Sequence, residues 1–460
     1  FSSQVSLIPA FSPFGSYSNA VLRSLLVFAL VIALGSYEQW RWRGAKERYR
    51  YFFAFVLGTA VTWILIVFKR AMFETGIQDD PFLLALGCTC IAIGWKFLFG
   101  PWSASIKATV LGTFLLWVSY AILRHETKAE LIATSLAAIV ALIPVFLWCA
   151  LFLSYHVQRL SVVVLAFFAG MLSTAPILFY DKLTSLSSPL NFFLFTVTPV
   201  QFSGSSSSFV SSLGLPGMTT LSGSVAATLV TYLIVGCIEE GSKYWVLKKG
   251  CSTFFRSIDD AMQLAIVVAI GFAFAENLVN PNYFVGFVKM YILESADPKW
   301  GQFFANVFGR SVLTNMVHIL STGVLGYFFG LAYFAHPLLN THLSRGKIHS
   351  IVKRIHEWLD IPIERVYSNL MLSLGIASSI ILHGIFDFVV SVQDIIPGKP
   401  STLGELLFPG GQTFLHSIPI TLLPALLYTV GGVWLLSVLL ERQEDMKDFG
   451  AKAHVEAYIS

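Results

Sequence analysis

The chain has 460 residues, of which 55% are hydrophobic and only 12% are charged, and its mean hydropathy is +0.71. Soluble proteins carry about 25% charged residues, so this composition excludes an ordinary soluble enzyme. It predicts an all-α, polytopic transmembrane helical bundle embedded in a lipid bilayer. The net charge of +4 is small, and no basic stripe alternates with aromatic residues, so nucleic acid is not an expected partner.

Apolar stretches that can cross a hydrocarbon core of about 30 Å predict about eleven spans. They lie near residues 20–37, 51–68, 82–100, 106–123, 134–154, 161–180, 224–247, 261–279, 311–334, 366–393 and 412–440. Lys and Arg are roughly twice as frequent in one set of alternate loops as in the other. The positive-inside rule then predicts an N-terminus outside or in the lumen and a cytosolic C-terminus.

The predicted spans divide the chain into three regions. Residues 1–155 form a five-span membrane region whose role the sequence does not indicate, residues 156–440 form the predicted catalytic membrane core, and residues 441–460 form a cytosolic tail. Within the core, the segment 181–223 is too rich in Ser and Gly to pack as a helix, and we expect it to be an outer loop.

Polar and ionisable residues lie inside four of the predicted spans. A charged side chain at the centre of a bilayer costs about 2.5–3.5 kcal/mol on insertion scales, so such residues are rare and usually line a cavity. Carboxylates and imidazoles are also the groups that hold a metal or activate water. The candidate site residues are Glu239, Glu240, Lys243, Glu276, Asn277, His318, His383 and Asp387.

Each of these clusters also has a purely structural interpretation. Lys243 follows Glu239 by four residues and can form a helical ion pair with it. A lone His318 can be a packing residue, whereas Asp387 follows His383 by four residues and can orient its imidazole. Because every buried polar group requires a partner, one shared site explains all the clusters more simply than four separate ones.

The order and spacing of these short motifs resemble the signature blocks of PrsW-type intramembrane proteases, which belong to the wider clan of CAAX prenyl endopeptidases. The resemblance covers roughly residues 156–394, with 166–176 in the first core helix. The matching blocks are Glu-Glu-Gly-Ser-Lys at 239–243, Asp259-Asp260, Gly-Phe-Ala-Phe-Ala-Glu-Asn at 271–277, His318 followed by Gly326, and His-Gly-Ile-Phe-Asp at 383–387.

The resemblance implies an intramembrane endopeptidase that hydrolyses a membrane-anchored protein or peptide. It implies that Glu239 is the water-activating base and that Glu240 supports it or faces a metal. Zinc held by His318, His383 and Glu276 is one expectation. Glu276 stands where the prenyl endopeptidases carry a histidine, so a metal-independent glutamate mechanism, with the histidines stabilising the oxyanion, is the other.

Helix geometry places a condition on the shared site. At a rise of about 1.5 Å per residue, Glu239 should lie roughly 14 Å from the inner loop, whereas Glu276 and His383 should lie roughly 25 Å from it. Tilted or broken helices, or a later start to the eighth predicted span, must remove this difference.

Two further functions are compatible with buried ionisable residues. An ion- or proton-coupled transporter could use the same carboxylates and histidines as a relay. That hypothesis predicts inverted repeats with matching broken helices, and the sequence shows no such correspondence. An inactive scaffold that retains the pocket is the third hypothesis, and the presence of every motif block argues against it.

The charge bias predicts the sidedness of two loops. The basic segment 335–365 should be cytosolic and the Ser-rich segment 181–223 should lie on the opposite side of the membrane. Single cysteines placed in each segment should therefore react with a membrane-impermeant thiol reagent from opposite sides of sealed vesicles. Labelling of both from the same side would contradict the predicted order of spans.

Overall fold

The structure is a computed structural model, and the ranges it describes continuously fall between residues 102 and 441. These are residues 102–123, 128–155, 158–176, 225–280, 283–344, 350–391, 400–408 and 410–441, with isolated positions between 81 and 100 and the pieces 190–191 and 196–197. The predicted spans 20–37 and 51–68, most of the segment 181–223 and nearly all of the predicted tail lie outside the described residues.

The described chain is mainly helical, with a two-residue antiparallel ladder between β1 (Leu190–Asn191) and β2 (Thr196–Val197) and an isolated bridge between Thr402 and Pro419. The helices are α1 (Ala104–Leu123), α2 (Lys128–Leu153), α3 (Leu160–Leu172), α4 (Val225–Val246), α5 (Ile258–Val279), α6 (Phe284–Val288), α7 (Trp300–Phe308), α8 (Asn315–Tyr333), α9 (Ala335–Ser344), α10 (Ser350–Leu359), α11 (Ile363–Val390), α12 (Leu403–Leu407), α13 (Leu422–Leu426) and α14 (Gly432–Glu441).

Five helical stretches of the described chain are long and apolar enough to cross a membrane. They are Lys128–Leu153, Ile258–Val279, Trp300–Tyr333, Ile363–Val390 and Pro424–Glu441. The third joins α7 and α8 through a π-helical turn, Gly309–Thr314. The predicted all-α membrane bundle is thus supported, whereas the predicted count of about eleven spans is not confirmed.

Two predicted spans end or begin at different residues in the structure. In the stretch predicted at 161–180, α3 ends at Leu172, where Ser173 and Thr174 bond back to the carbonyl oxygens of Gly170 and Met171 at 2.6 and 2.7 Å. Residues 175 and 176 are helical again, and residues 177–180 lie outside the described residues. The stretch predicted from residue 412 starts instead with a short 3₁₀ turn, Phe414–Ser417, before α13.

Contact clustering divides the chain into two compact units, Phe1–Ile132 and Ala133–Ser460. The boundary therefore falls within the N-terminal region predicted at 1–155. In the second unit, Ala133, Ala137 and Ala141 of α2 pack against Phe284 and Phe303. The fifth predicted span thus forms part of the same unit as the predicted core.

Helix α5 is at the centre of the second unit, where nearly every one of its residues is buried. It lies against α3 through glycines on both helices. A Cβ on Gly170 would lie 2.1 Å from the carbonyl oxygen of Val268, and a Cβ on Gly271 would lie 2.1 Å from that of Phe167. The two backbones therefore touch directly, in a contact that only glycine permits.

Helix α8 packs antiparallel to α5, and small residues on both helices allow them to approach closely. Gly326 lies against Ala261 and Ala265 near the start of α5, while the imidazole of His318 lies 5.2 Å from the ring of Phe272, farther along α5. This register brings the beginning of α8 beside the end of α5, where two of the candidate site residues are located.

Helices α4 and α11 also run antiparallel and in close contact. A Cβ on Gly236 would lie 3.2 Å from the carbonyl oxygen of Ile380, and one on Gly384 would lie 3.0 Å from the Cα of Leu233. Four residues before Gly236 on α4, Tyr232 Oη lies 2.7 Å from Ser391 Oγ at the end of α11. Glu239 and His383 therefore lie on facing helices.

The connection between α4 and α5 removes the expected difference in depth. The chain does not leave the bundle after α4 but continues through a π-helical turn, Leu247–Cys251, and a 3₁₀ turn, Ser252–Phe254. Leu247, Cys251 and Phe255 are fully buried. Counted from Phe254 at about 1.5 Å per residue, Glu239 lies roughly 22 Å into the bundle, close to the depth expected for Glu276.

The contact between α3 and α5 predicts a strong effect of a single methyl group. Gly170→Ala should destabilise the protein by about 1–3 kcal/mol, since the new Cβ would overlap the α5 backbone. Gly241→Ala in α4 is the control, because a Cβ there meets no described atom within 4 Å. Thermal unfolding of the detergent-extracted proteins measures both. Equal midpoints for the two variants would contradict the direct backbone contact.

Candidate active site

Glu240 of α4 is the most highly bonded carboxylate of the site. Its Oε1 accepts hydrogen bonds from Lys243 Nζ at 2.7 Å and from Ser321 Oγ at 3.1 Å, and it lies 2.8 Å from His383 Nδ1. Its Oε2 accepts from Thr322 Oγ1 at 2.8 Å. Glu240 is buried, and these bonds tie α4 to α8 and α11.

Lys243 pairs more closely with Glu240 than with Glu239. Its Nζ lies 2.7 Å from Glu240 Oε1 but 3.6 Å from Glu239 Oε2. The ammonium group also lies 3.2 Å from His318 Nδ1 and 4.0 Å from the centre of the Phe272 ring. The sequence indicated Glu239 as the ionic partner, and the structure places Glu240 there at the shorter distance.

The contacts of His318 define its tautomer. An ammonium group can only donate, so Nδ1 must accept from Lys243 and the ring proton must be on Nε2. From there it donates to Glu276 Oε2 at 2.9 Å. The Nδ1 lone pair of His318 consequently faces the interior of the site.

His383 has the opposite arrangement of ring nitrogens. Its Nδ1 donates to Glu240 Oε1 at 2.8 Å, because that carboxylate is an acceptor. Its Nε2 faces Glu239 Oε2 and Asp387 Oδ2, each 3.4 Å away. The imidazole centroids of His318 and His383 are 4.9 Å apart.

Glu239 contributes a buried oxygen without a hydrogen bond. Its Oε2 has no hydrogen-bond partner among the described residues, although it is buried. It lies 3.4 Å from His383 Nε2 and 3.8 Å from His318 Nδ1. The Lys243 ammonium at 3.6 Å offsets part of its charge, but a buried carboxylate oxygen without a hydrogen bond is costly, so its position requires a functional explanation.

The geometry of these three residues fits a metal ion. One potential ligand atom from each of Glu239, His318 and His383 lies within 4.8 Å of the others. The outer nitrogen of each imidazole bonds a carboxylate, as is usual for metal-ligating histidines. Two imidazoles and a carboxylate are a known catalytic zinc set, which leaves a fourth position for water.

Glu276 was expected from the sequence to be a ligand, and in the structure it lies on the far side of His318. Its Oε2 accepts from His318 Nε2, and its Oε1 lies 2.9 Å from Arg310 Nη2. Asn277 lies one step farther out, where its Oδ1 accepts from Arg310 Nε at 2.8 Å and its Nδ2 donates to Asn315 Oδ1 at 3.2 Å.

The structure adds residues that the sequence did not indicate as part of the site. Ser321 and Thr322 follow His318 by three and four residues on an apolar helix. This spacing puts both hydroxyl groups on the same face of the helix as His318, so the sequence contained a signal that could have identified them. Arg310 falls between the predicted spans 261–279 and 311–334, a position that predicts a loop cation. It lies instead inside the helical stretch Trp300–Tyr333, with its guanidinium on Glu276.

Comparisons with known proteins agree with the sequence motifs. Residues 158–348 match the profile of the PrsW family of intramembrane metalloproteases. No curated protein and no solved structure gave a match to the chain. The matched residues include Glu239, Glu240, Glu276 and His318 and end before His383.

The match supports an enzyme of the intramembrane peptidase class, in an integral membrane protein whose substrate is a membrane-embedded protein. The buried group of one carboxylate and two imidazoles is compatible with a metalloprotease. The resemblance to the PrsW family, drawn first from the motifs, is therefore confirmed over residues 158–348.

Proposed function

We propose that this chain is an intramembrane metallopeptidase that hydrolyses a peptide bond of a membrane-anchored protein, with Glu239, His318 and His383 as the ligands of zinc. One observation carries the proposal. The buried oxygen of Glu239 has no hydrogen-bond partner among the described residues and faces the inward nitrogen of each imidazole. A cation at this position would satisfy all three groups.

The charges of the surrounding residues favour a divalent cation. The site contains four carboxylates, those of Glu239, Glu240, Glu276 and Asp387, against the two fixed cations Lys243 and Arg310. With the carboxylates ionised and the imidazoles neutral, two negative charges are left over. Zinc bound there would supply a Lewis acid and a water molecule of lowered pKa.

The residues of the chain have separate tasks in this proposal. Glu240 holds the His383 ring by its Nδ1–H, and Lys243, Ser321 and Thr322 in turn fix Glu240. Glu276 holds the His318 ring by its Nε2–H. Asp387 Oδ2 lies 3.4 Å from His383 Nε2, and its side chain is 26% exposed, so it is the carboxylate best placed to reach an entering water or peptide.

One contact supports a metal-independent glutamate mechanism as the second candidate. Lys243 Nζ lies 3.2 Å from His318 Nδ1 and thus already uses the lone pair that a metal requires. In that mechanism Glu239 would accept the proton of the attacking water directly, as the resemblance implies. Lys243 keeps its shorter bond to Glu240 in both mechanisms, so the position of Lys243 does not distinguish the metal mechanism from the glutamate mechanism. Removal of the metal by a chelator does.

The two adjacent glutamates should respond differently to the same substitution. Glu239→Gln should lower cleavage of a membrane-anchored reporter by about 10² or more while the protein stays folded, because Glu239 Oε2 has no hydrogen bond to lose. Glu240→Gln should lower stability by roughly 3–5 kcal/mol, because it leaves the buried Lys243 without its carboxylate.

Both quantities are measured on the same detergent-extracted preparations, as folded protein recovered and as turnover per folded molecule. Wild-type turnover by well-folded Glu239→Gln would refute the catalytic assignment. Absence of turnover in the wild type, with ion-driven substrate uptake in proteoliposomes, would favour the transporter that the sequence left open.

Metal removal separates the two peptidase mechanisms. Dialysis of the wild type against a zinc chelator should abolish cleavage, and one equivalent of zinc should restore it. His318→Ala should bind less than stoichiometric zinc by elemental analysis, since it lacks one ligand. Full activity in protein shown to contain no metal would instead establish the glutamate mechanism.

A further inference from the structure

Arg310 is held in a fixed position beside the site by three different groups. Its Nη2 lies 2.9 Å from Glu276 Oε1, its Nε donates to Asn277 Oδ1 at 2.8 Å, and its guanidinium carbon lies 3.6 Å from the centre of the Tyr283 ring. The side chain of Arg310 is 15% exposed. Two hydrogen bonds and one stacking contact leave the guanidinium little freedom to move.

Glu276 and Asn277 both bind the guanidinium of Arg310. These neighbours occur at the end of α5, and both bond the same guanidinium through different nitrogens. Asn277 is itself oriented by a bond from its amide nitrogen to Asn315 Oδ1. The chain of contacts runs from Asn315 through Asn277 and Arg310 to Glu276, and ends at the imidazole of His318.

Glu276 can orient His318 only if its own carboxylate is fixed. One oxygen accepts the Nε2–H of His318, and the other is occupied by Arg310. Without Arg310 the Glu276 carboxylate, 23% exposed, would be free to rotate away from the imidazole. Lys243 would still hold Nδ1 as an acceptor at 3.2 Å, but no bond at Nε2 would then fix the orientation of the ring.

We propose that Arg310 is a positioning residue that acts through Glu276 to hold the imidazole of His318 in the orientation that directs its Nδ1 lone pair into the site. The inference rests on the proposed function for its effect on zinc, but not for its effect on the orientation of the ring. Arginine is required because a lysine is a point charge on a flexible stem, which cannot bond Glu276 and Asn277 in two directions and stack on Tyr283 at once.

The experiment compares the full-length wild type with Arg310→Gln and Arg310→Lys in lipid nanodiscs. Arg256→Gln is the matched control, because Arg256 also pairs with a carboxylate, Asp260 at 3.2 Å, near the opposite end of α5. Zinc affinity is measured by competition with a chromophoric chelator. We expect Arg310→Gln to bind zinc about 10–100-fold more weakly, Arg310→Lys to lie between it and the wild type, and Arg256→Gln to match the wild type.

A second measurement reports the orientation of the ring without any metal. In metal-free protein with ¹⁵N-labelled histidine, the Nε2–H proton of His318, identified by its loss in His318→Gln, should exchange slowly with water in the wild type and in Arg256→Gln, because it is bonded to Glu276. The same proton should exchange faster in Arg310→Gln. The catalytic rate kcat should fall in the same variant with KM unchanged, since the peptide itself does not contact Arg310 in this proposal.

The outcomes separate the two proposals. A wild type that binds no zinc and cleaves no peptide refutes the proposed function, and the proton-exchange measurement still decides the role of Arg310. Unchanged exchange of the His318 Nε2–H proton together with unchanged zinc affinity in folded Arg310→Gln overturns the inference. If Arg310→Gln does not fold, Arg310→Lys supplies the same comparison, because it keeps the positive charge.

Discussion

A buried charge in an apolar bundle must have a partner, and Glu240 is where this constraint acts most strongly. One carboxylate receives bonds from α4, α8 and α11, through Lys243, Ser321, Thr322 and His383. Each bond is made in a medium of low polarity, where its loss is costly, so the contacts favour a single arrangement of the three helices. The neighbouring Glu239 is thereby freed from a structural role, because the fixed charge of Lys243 is already matched.

The candidate residues could be found from the sequence because ionisable groups stand out in apolar stretches. Their convergence also followed from physical reasoning, since isolated buried polar groups are costly. The sequence spacing indicated Glu239 as the partner of Lys243, whereas the shorter contact is to Glu240. Spacings of three and four residues are both allowed on a helix, and the choice depends on groups from α8 and α11, about 80 and 140 positions away in the chain.

The fold could be predicted from the sequence to a similar extent. Composition identified helices and a membrane protein, and α5 and α11 lie close to their predicted positions. Helix ends were harder, because the end of α3 depends on hydroxyl groups that bond the preceding turn, and the buried connection after α4 resembles a loop in composition. Arg310 was taken for a loop cation because no local pattern shows a partner 34 residues earlier in the chain, Glu276.

The close contact between α4 and α11 has a consequence for the identity of the reactive group. Glu239 and Glu240 are adjacent, so they point about 100° apart, and a turn of α4 by one residue would exchange their surroundings. Gly236 and Gly384 allow the backbones of α4 and α11 to pack closely, and this close contact fixes the rotation of α4 about its axis. Glu239 and Glu240 are chemically identical acids. The two glycines, through the rotation that they impose on α4, therefore determine which of the two carboxylates is available for chemistry.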